Sequence, residues 1–431
     1  VPTSNGIEDD LLDEAETAPV KGLPQPVPPS RGLAHKTERW LTKRVLESAG
    51  NPAIAIVLWD GTEITTSRQP VIGRLLIHDR RALRKLAINP DLELGDLYSA
   101  GRIDVEGDLA QILEIAYRAQ AAAHTSSTMV LGLLPALSHR PRNTLLRARE
   151  NIHHHYDIGN DFYRLWLDEQ LVYTCAYYPT LTESLEEAQR AKLDYVCRKL
   201  RLKPGDRVVD AGCGWGALAL HMARHYGASV KAFNISHEQI AFARERARVE
   251  GLEDRVEFIE DDYRNMSGEF DAFASVGMLE HVGIANYGLL GELIDRVLTP
   301  DGRGLIHSIG RDYPRPVNAW IDRRVFPGAQ PPSIGEMIGL FEAGGFSVLD
   351  VENLRLHYAR TLEHWSGRFE QSVDRVREMF DEPFVRVWRM YLASSIAAFR
   401  SGTLQLFQVV FTRTGNNDIP WTRRYLYRDG E

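Results

Sequence analysis

The chain has 431 residues, 44% of them hydrophobic and 26% charged, which suits two or three globular units with sizeable cores and excludes low-complexity and collagen-like classes. Its three cysteines, Cys175, Cys197 and Cys213, show neither C-x-x-C nor Cys/His ligand spacing, which argues against a disulfide framework and a zinc site. The net charge of -8 argues against a nucleic-acid partner, although the acids from Glu8 to Glu16 precede the first basic residue after them, Lys21, and leave the rest nearly neutral.

In chain order, residues 1–33 are acidic and then proline-rich without apolar periodicity, the composition of a disordered tail. No apolar run approaches membrane-spanning length and the start lacks the basic-then-apolar pattern of a signal peptide, so a cytoplasmic protein is expected. Residues 34–125 read as a small α+β unit. It has a helical start, a strand at 53–59, an Asp60-Gly61 hairpin turn, a strand at 73–77 and helices near 81–86 and 109–123. Its carboxylates Glu93, Asp96 and Asp104 read as solvated or capping groups.

Residues 126–150 form a linker or interfacial segment. The apolar stretch 129–141, with Gly132 and Pro135, either joins the units at a surface or packs on the next domain. Arg140, Arg142, Arg147 and Arg149 face no acid between 121 and 149, a pattern suited to anionic lipid heads. His153, His154 and His155 invite a metal reading, but helical neighbours point about 100° apart and do not converge on one ion.

Residues 151–431 have the alternation of an α/β domain. Strands are predicted at 207–211, 229–234, 256–259, 272–276, 304–309, 346–352 and 406–412, with helices at 215–226, 236–250 and 287–297. Ser236 and Gln239 read as a capping-box pair. Strands separated by helices predict a parallel sheet with the ligand at the strands' carboxyl ends. About fifty helix-patterned residues, 355–403, form a candidate substrate lid.

The run from Val208 to Gly216 joins a strand, its terminal Asp210 and three glycines, Gly212, Gly214 and Gly216, before a helix. G-x-G-x-G differs from the G-x-G-x-x-G of dinucleotide binders, and no GK[ST] follows to hold phosphate. The pattern points to an adenosyl ligand without a polyphosphate, such as S-adenosylmethionine. The second strand ends at Asn234 near Gln239, polar groups for a ribose, with Gln239 equally readable as a cap. The third ends in Asp261-Asp262-Tyr263, where a carboxylate could accept from the adenine amino group. Glu280 and His307 follow neighbouring strands, where both can hold an ion or move a proton.

The blocks 155–162, 173–178, 209–216, 277–283 and 307–310 together resemble the cyclopropane-fatty-acyl-phospholipid synthases, in order from about residue 150 to 413. The resemblance implies a seven-stranded Rossmann-like class I methyltransferase domain, with S-adenosylmethionine and a bicarbonate ion as cofactors. It implies transfer of a methylene to the cis double bond of an acyl chain in a membrane phospholipid. It also implies a homodimer associated peripherally with the inner face of the membrane. Carried across by motif, the bicarbonate surroundings are Cys175, Glu280, His307, Ile309 and Tyr358. The cofactor contacts are Tyr173, Thr174, the glycine turn, Asn234, Gln239, Asp262 and Tyr263. Ser395 stands where relatives often have Cys; a hydroxyl without an adjacent base is a poor nucleophile, so the reading is that this Cys is not chemically required.

Three rival functions stand beside this one. A methyltransferase making methyl- or methylene-branched chains shares the scaffold, but the relatives with that outcome tend to alter the positions of Gly277 and His281, both retained here. A lipid-binding protein with a vestigial core does not account for the Glu280, His307 and Tyr358 set. Nucleic-acid methylation lacks both its motif and a basic surface.

Overall fold

The computed structural model describes residues 34–127 and 158–427. The acidic tail, the apolar stretch 129–141, the four arginines 140, 142, 147 and 149 and the three histidines 153–155 lie outside the described residues.

The N-terminal sheet contains β1 (Ala55–Leu58), β2 (Glu63–Ile64), β3 (Arg74–Ile77) and β4 (Ile103–Glu106), in the order β2-β1-β3-β4. Gly61 adopts φ +82° in the turn, and Asp60 Oδ1 accepts from Thr62 N at 3.0 Å, so β1 and β2 pair antiparallel as the Asp-Gly signal predicts. Helix Pro90–Ser99 was not expected from the sequence; Pro90 opens it where a missing N–H costs nothing.

Of the carboxylates expected to be solvated or capping, Asp96 is buried, while Glu93 and the part-exposed Asp104 are held in ion pairs. Asp96 is buried and bidentate with Arg324, at 2.9 and 2.8 Å. Asp104 accepts from Arg386 Nη2 at 2.6 Å and lies 2.7 Å from His78 Nε2, while Glu93 pairs with Lys85 at 3.0 Å. For Asp96 and Asp104 the reason is long-range: the unit docks on the larger domain, and these two meet arginines more than two hundred residues away, which local periodicity does not encode, whereas Glu93 is paired within its own unit.

The larger sheet comprises β5 (Arg207–Ala211), β6 (Ser229–Asn234), β7 (Val256–Glu260), β8 (Phe270–Val276), β9 (Leu298–Arg311), β10 (Phe346–Asn353) and β11 (Leu404–Arg413). Its order is β10-β11-β9-β8-β5-β6-β7, the seven-stranded Rossmann-like class I methyltransferase sheet expected from the sequence. It is not parallel throughout: β11 lies antiparallel between β9 and β10. A hydrophobic period marks a strand without giving its direction. The chain leaves β5 toward β6 and β7 and returns to β8 on the other side, so β5 and β8 flank a topological switch point.

Two local expectations need correction. Ser236 caps helix His237–Val249 by accepting from Gln239 N, but the Gln239 side chain turns to Asn234 and the capping box is not closed. The helix after the glycine turn begins at Ala217, because Gly216 is left-handed, at φ +83°.

Helices Arg355–Gln371, Val373–Met379 and Glu382–Ser401 fill the interval between β10 and β11. Phe384, Trp388 and Phe380 pack with Phe162 in edge and stacked arrangements 4.1–5.5 Å apart, forming an aromatic core. Arg386 reaches from this helix to the carbonyls of Tyr98 and Ile103 and lies over the Tyr98 ring at 4.2 Å.

The buried Asp96–Arg324 pair sets a measurable coupling. Asp96→Ala and Arg324→Ala should each cost about 3–5 kcal/mol by denaturant unfolding, because each leaves a buried charge uncompensated. The double variant should cost much less than the sum; strict additivity would show that the pair does not couple the two units.

Candidate active site

The glycine turn is shaped by what it excludes. Gly212, Gly214 and Gly216 have φ of +91°, +54° and +83°. A Cβ on Gly216 would meet Phe258 Cζ at 2.5 Å and one on Gly212 would meet Met278 Cβ at 2.9 Å. Gly214 differs, since a Cβ there meets nothing within 4 Å; its bare backbone faces the cavity, where a ligand can approach closely. Trp215 Nε1 donates to Asn160 Oδ1 at 2.7 Å and ties the turn to the block that precedes the domain's first long helix.

At the end of β6, Asn234 Oδ1 accepts from Ile235 N at 2.8 Å and its Nδ2 donates to Gln239 Oε1 at 2.6 Å. Both residues line the cavity, and with Gln239 Oε1 taken by Asn234 the Gln239 amide N–H groups are the donors left to it. Asp262, buried beyond β7, is held by Arg264 through two contacts of 2.7 and 2.9 Å, and Tyr263 stands beside it on the same wall.

Across the cavity lie Tyr173, Thr174 and a residue the sequence reading missed, Lys192. It sits in helix Leu185–Lys199 and donates to Thr174 Oγ1 at 2.9 Å. Burial pushes its ammonium below the usual lysine range and the Asp210 carboxyl above the usual aspartate range, while attraction between the two opposes both shifts. Asp210 Oδ2 has no hydrogen-bond partner among the described residues. A lysine on the buried stripe of an amphipathic helix, next to buried Gln189, was the available signal.

Glu280, Ile309 and Tyr358 line a third corner. Ile309 N donates to Glu280 Oε1 at 2.7 Å, whereas Glu280 Oε2 is buried with no partner among the described residues. Burial pushes the Glu280 carboxyl up to about 7. Cys175 and His307 stand behind this wall rather than on it. Cys175 Sγ is turned to the Ala176 carbonyl at 3.1 Å, and burial raises its thiol so that it stays protonated. His307 Nδ1 lies 2.9 Å from Gln408 Nε2, its Nε2 has no partner among the described residues, and burial holds the ring neutral.

These corners open on one cavity of about 590 Å³. Beyond Glu280 its wall is aromatic and apolar, from Tyr358, Phe326, Tyr391, Leu362 and Phe399, with Ser394 and Ser395 from helix Glu382–Ser401. Tyr173 OH lies 2.8 Å from Tyr391 OH, joining the cofactor side to this wall. Asp91, Tyr117 and Gln120 of the N-terminal unit complete the rim. Among the described residues no group of three His, Cys, Asp or Glu side chains could hold a metal ion, and no helix is long and apolar enough to cross a membrane.

Residues 143–409 match the family model described as mycolic acid cyclopropane synthetase. The chain belongs to that family. As a mycolic acid cyclopropane synthetase family member it is an S-adenosylmethionine-dependent methyltransferase of fatty-acid modification. Residues 41–128 match a domain of unknown function. A probable fatty acid methyltransferase of Pseudomonas putida is 36% identical over 387 residues, 87% of this chain and 96% of that one. The cyclopropane-fatty-acyl-phospholipid synthase of Escherichia coli (strain K12) is 41% identical over 266 residues, 62% of this chain and 68% of that one. The crystal structure of mycolic acid cyclopropane synthase CmaA1 complexed with SAH and CTAB superimposes with a TM-score of 0.59 at 29% identity, covering 62% of this chain and 98% of that one.

Two outcomes are expected from this geometry. Gly214→Ala should cost about 1–2 kcal/mol of stability through its left-handed backbone, but should weaken S-adenosylmethionine far more, in calorimetric titration, because the new methyl points into open cavity. Unchanged affinity would remove Gly214 from the cofactor wall. For Glu280, the folded protein holds a proton to about pH 7 that the unfolded chain releases near 4.5, so the folded state loses stability as pH rises through that window. Glu280→Gln should remove this decline, on the order of 3 kcal/mol between pH 4.5 and 7, in unfolding curves measured across that range.

Proposed function

We propose that the chain is a cyclopropane fatty acid synthase, converting the cis double bond of an acyl chain in a membrane phospholipid to a cyclopropane with a methylene from S-adenosylmethionine. The observation that carries the reading is the junction at Glu280. There a glycine-walled cofactor cleft opens into an aromatic cavity; Glu280 Oε2 on its wall and His307 Nε2 behind the wall are buried with no hydrogen-bond partner among the described residues. Two such polar groups suit a small oxyanion with both donor and acceptor capacity, which supports bicarbonate as the bound group.

In this reading Gly214 and the turn receive the adenosyl group, Asn234 and Gln239 the ribose, and Asp262 with Tyr263 the adenine. Lys192 and Asp210 offer one positive and one negative partner to the zwitterionic end of the donor, which Tyr173 and Thr174 border. Glu280, His307, the Ile309 main chain, Tyr358 and the wall at Cys175 surround the anion. The donor supplies an electrophilic methyl and the bicarbonate a base.

An alkene is a weak nucleophile, so the chain's contribution begins with alignment: the aromatic wall holds the acyl chain against the cofactor cleft. Attack of the alkene on the sulfonium methyl would form the new C–C bond as the methyl's C–S bond breaks, releasing S-adenosylhomocysteine and leaving a carbocation on the acyl chain. The faces of Tyr358, Tyr391 and Phe326 stabilise it through their π-systems while excluding water that would trap it. Loss of a proton from the added methyl group then lets the ring close. Glu280, with its carboxyl raised to about 7, can exchange that proton near neutrality, and it is the alternative acceptor.

The same assignment places residues 355–403 as the wall over the acyl chain, 34–125 as a separate unit completing the rim, and 126–150 as the segment joining it to the catalytic domain 151–431. Peripheral association with the inner membrane face and a homodimer complete the proposal; Arg140, Arg142, Arg147 and Arg149 suit contact with anionic lipid heads.

Vesicles of monounsaturated phospholipid incubated with protein and S-adenosylmethionine should gain the mass of one CH₂ per modified chain, with ring protons in the NMR spectrum. A branched alkene of the same mass would replace this reading with the branched-chain one. Absence of any mass gain, with cofactor binding intact, would favour the lipid-binding one.

A further inference from the structure

β11 carries one polar side chain in the middle of an apolar run, Gln408, and it is fully buried. An amide in such a place must satisfy its hydrogen bonds internally. Gln408 does so between two elements: Lys199 Nζ, from the last turn of helix Leu185–Lys199, lies 2.7 Å from Oε1, and His307 Nδ1, on β9, lies 2.9 Å from Nε2. Lys199 also bonds to Glu352 Oε2 at 2.5 Å and lies 3.9 Å from Asp350. These two carboxylates of the edge strand β10 favour its charged ammonium and oppose the lowering that burial imposes on it.

The chemistry of the three groups then removes a choice. A lysine ammonium has only donors, so the amide atom facing it is the carbonyl oxygen. The amide N–H groups therefore face His307 Nδ1, and an N–H needs an acceptor. Nδ1 must be the unprotonated nitrogen and the ring proton must sit on Nε2. That is the nitrogen with no partner among the described residues. The two cations near the ring, Lys192 and Lys199, disfavour a second proton on it.

We infer that Lys199 and Gln408 are positioning residues that fix His307 as the neutral tautomer with its proton on Nε2, so that it donates to the oxyanion beside Glu280. This rests on the reading of His307 as an anion ligand. Lys199 acts through Gln408, and Gln408 acts through His307; neither lines the cavity. The direction of donation matters, because an unprotonated Nε2 would present a lone pair to an anion.

The test reads the ring nitrogens directly. In protein labelled with ¹⁵N-histidine, long-range ¹H–¹⁵N spectra at neutral pH, with His307 identified by its loss in His307→Gln, should show Nδ1 as pyridine-like and Nε2 as pyrrole-like. Gln408→Glu should reverse the pattern, since a carboxylate at this place accepts and draws the proton to Nδ1. Its turnover should fall on the order of 10–100-fold, the usual effect of losing an outer orienting group, with the KM for S-adenosylmethionine unchanged.

A wild-type ring protonated on Nδ1 overturns the inference, as does a Gln408→Glu pattern that stays as in the wild type, or one that reverses without loss of turnover. The wild-type spectrum decides the tautomer even if the variant does not fold. Because the spectrum needs no turnover, failure of this inference and failure of the cyclopropane reading are told apart.

Discussion

The burial of ionisable groups at the inner end of an apolar cavity is the constraint that the rest of the site answers to. Glu280 and His307 lose hydration there, which raises the carboxyl and lowers the imidazole, so both are drawn toward their neutral forms. Each group is stabilised on one side only: Ile309 N satisfies Glu280 Oε1, and Gln408 satisfies His307 Nδ1. The remaining atom of each has no hydrogen-bond partner among the described residues. Native proteins rarely leave such atoms without a reason, since an unsatisfied buried polar atom costs about 1–3 kcal/mol. A ligand that bound both atoms would recover that cost, which is the sense in which the proposed site would be preorganised before substrate arrives.

Helix Glu382–Ser401 shows how the N-terminal unit enters the same account. One part of the helix reaches that unit through Arg386, which bonds to Tyr98, Ile103 and Asp104. Another part supplies Tyr391, Ser394 and Ser395 to the cavity wall. A single helix thus carries both the inter-unit contact and part of the cavity wall. The Asp96–Arg324 pair adds a second attachment through helix Ala319–Arg324, which is followed by the Phe326 side of the cavity. Displacing the N-terminal unit would therefore move this part of the cavity wall as well as the rim.

Much of this was legible in local sequence because the glycine turn, the strand ends and the ordered blocks obey short-range rules. The bounds of β6 and of helix Tyr287–Val297 follow directly from their apolar periods. What was not legible depends on distant partners. Asp96 reads as a surface acid until Arg324 is brought to it, and Lys192 reads as one more helix lysine until Thr174 closes over it. The capping box failed for a related reason: Gln239 had a better partner in Asn234 than in its own helix end. Gln408 is the intermediate case, since a glutamine inside a run of Leu, Phe and Val marks a buried obligation without naming who meets it.

The same physics bears on which product such a scaffold makes. In the proposed chemistry, methyl transfer yields a carbocation whose fate depends on the nearest hydrogen to the proton acceptor, a matter of fractions of an ångström rather than of new functional groups. Gly277 sits where such a displacement would originate. Its φ is +79°, and a Cβ there would meet Thr174 Cγ2 at 2.9 Å. Thr174 in turn accepts from Lys192, the cation assigned to the donor's amino-acid end. A side chain at 277 would press on Thr174, Thr174 on Lys192, and the sulfonium methyl would shift relative to Glu280. Product choice would then change through the placement of the donor, with Glu280 and His307 themselves left intact.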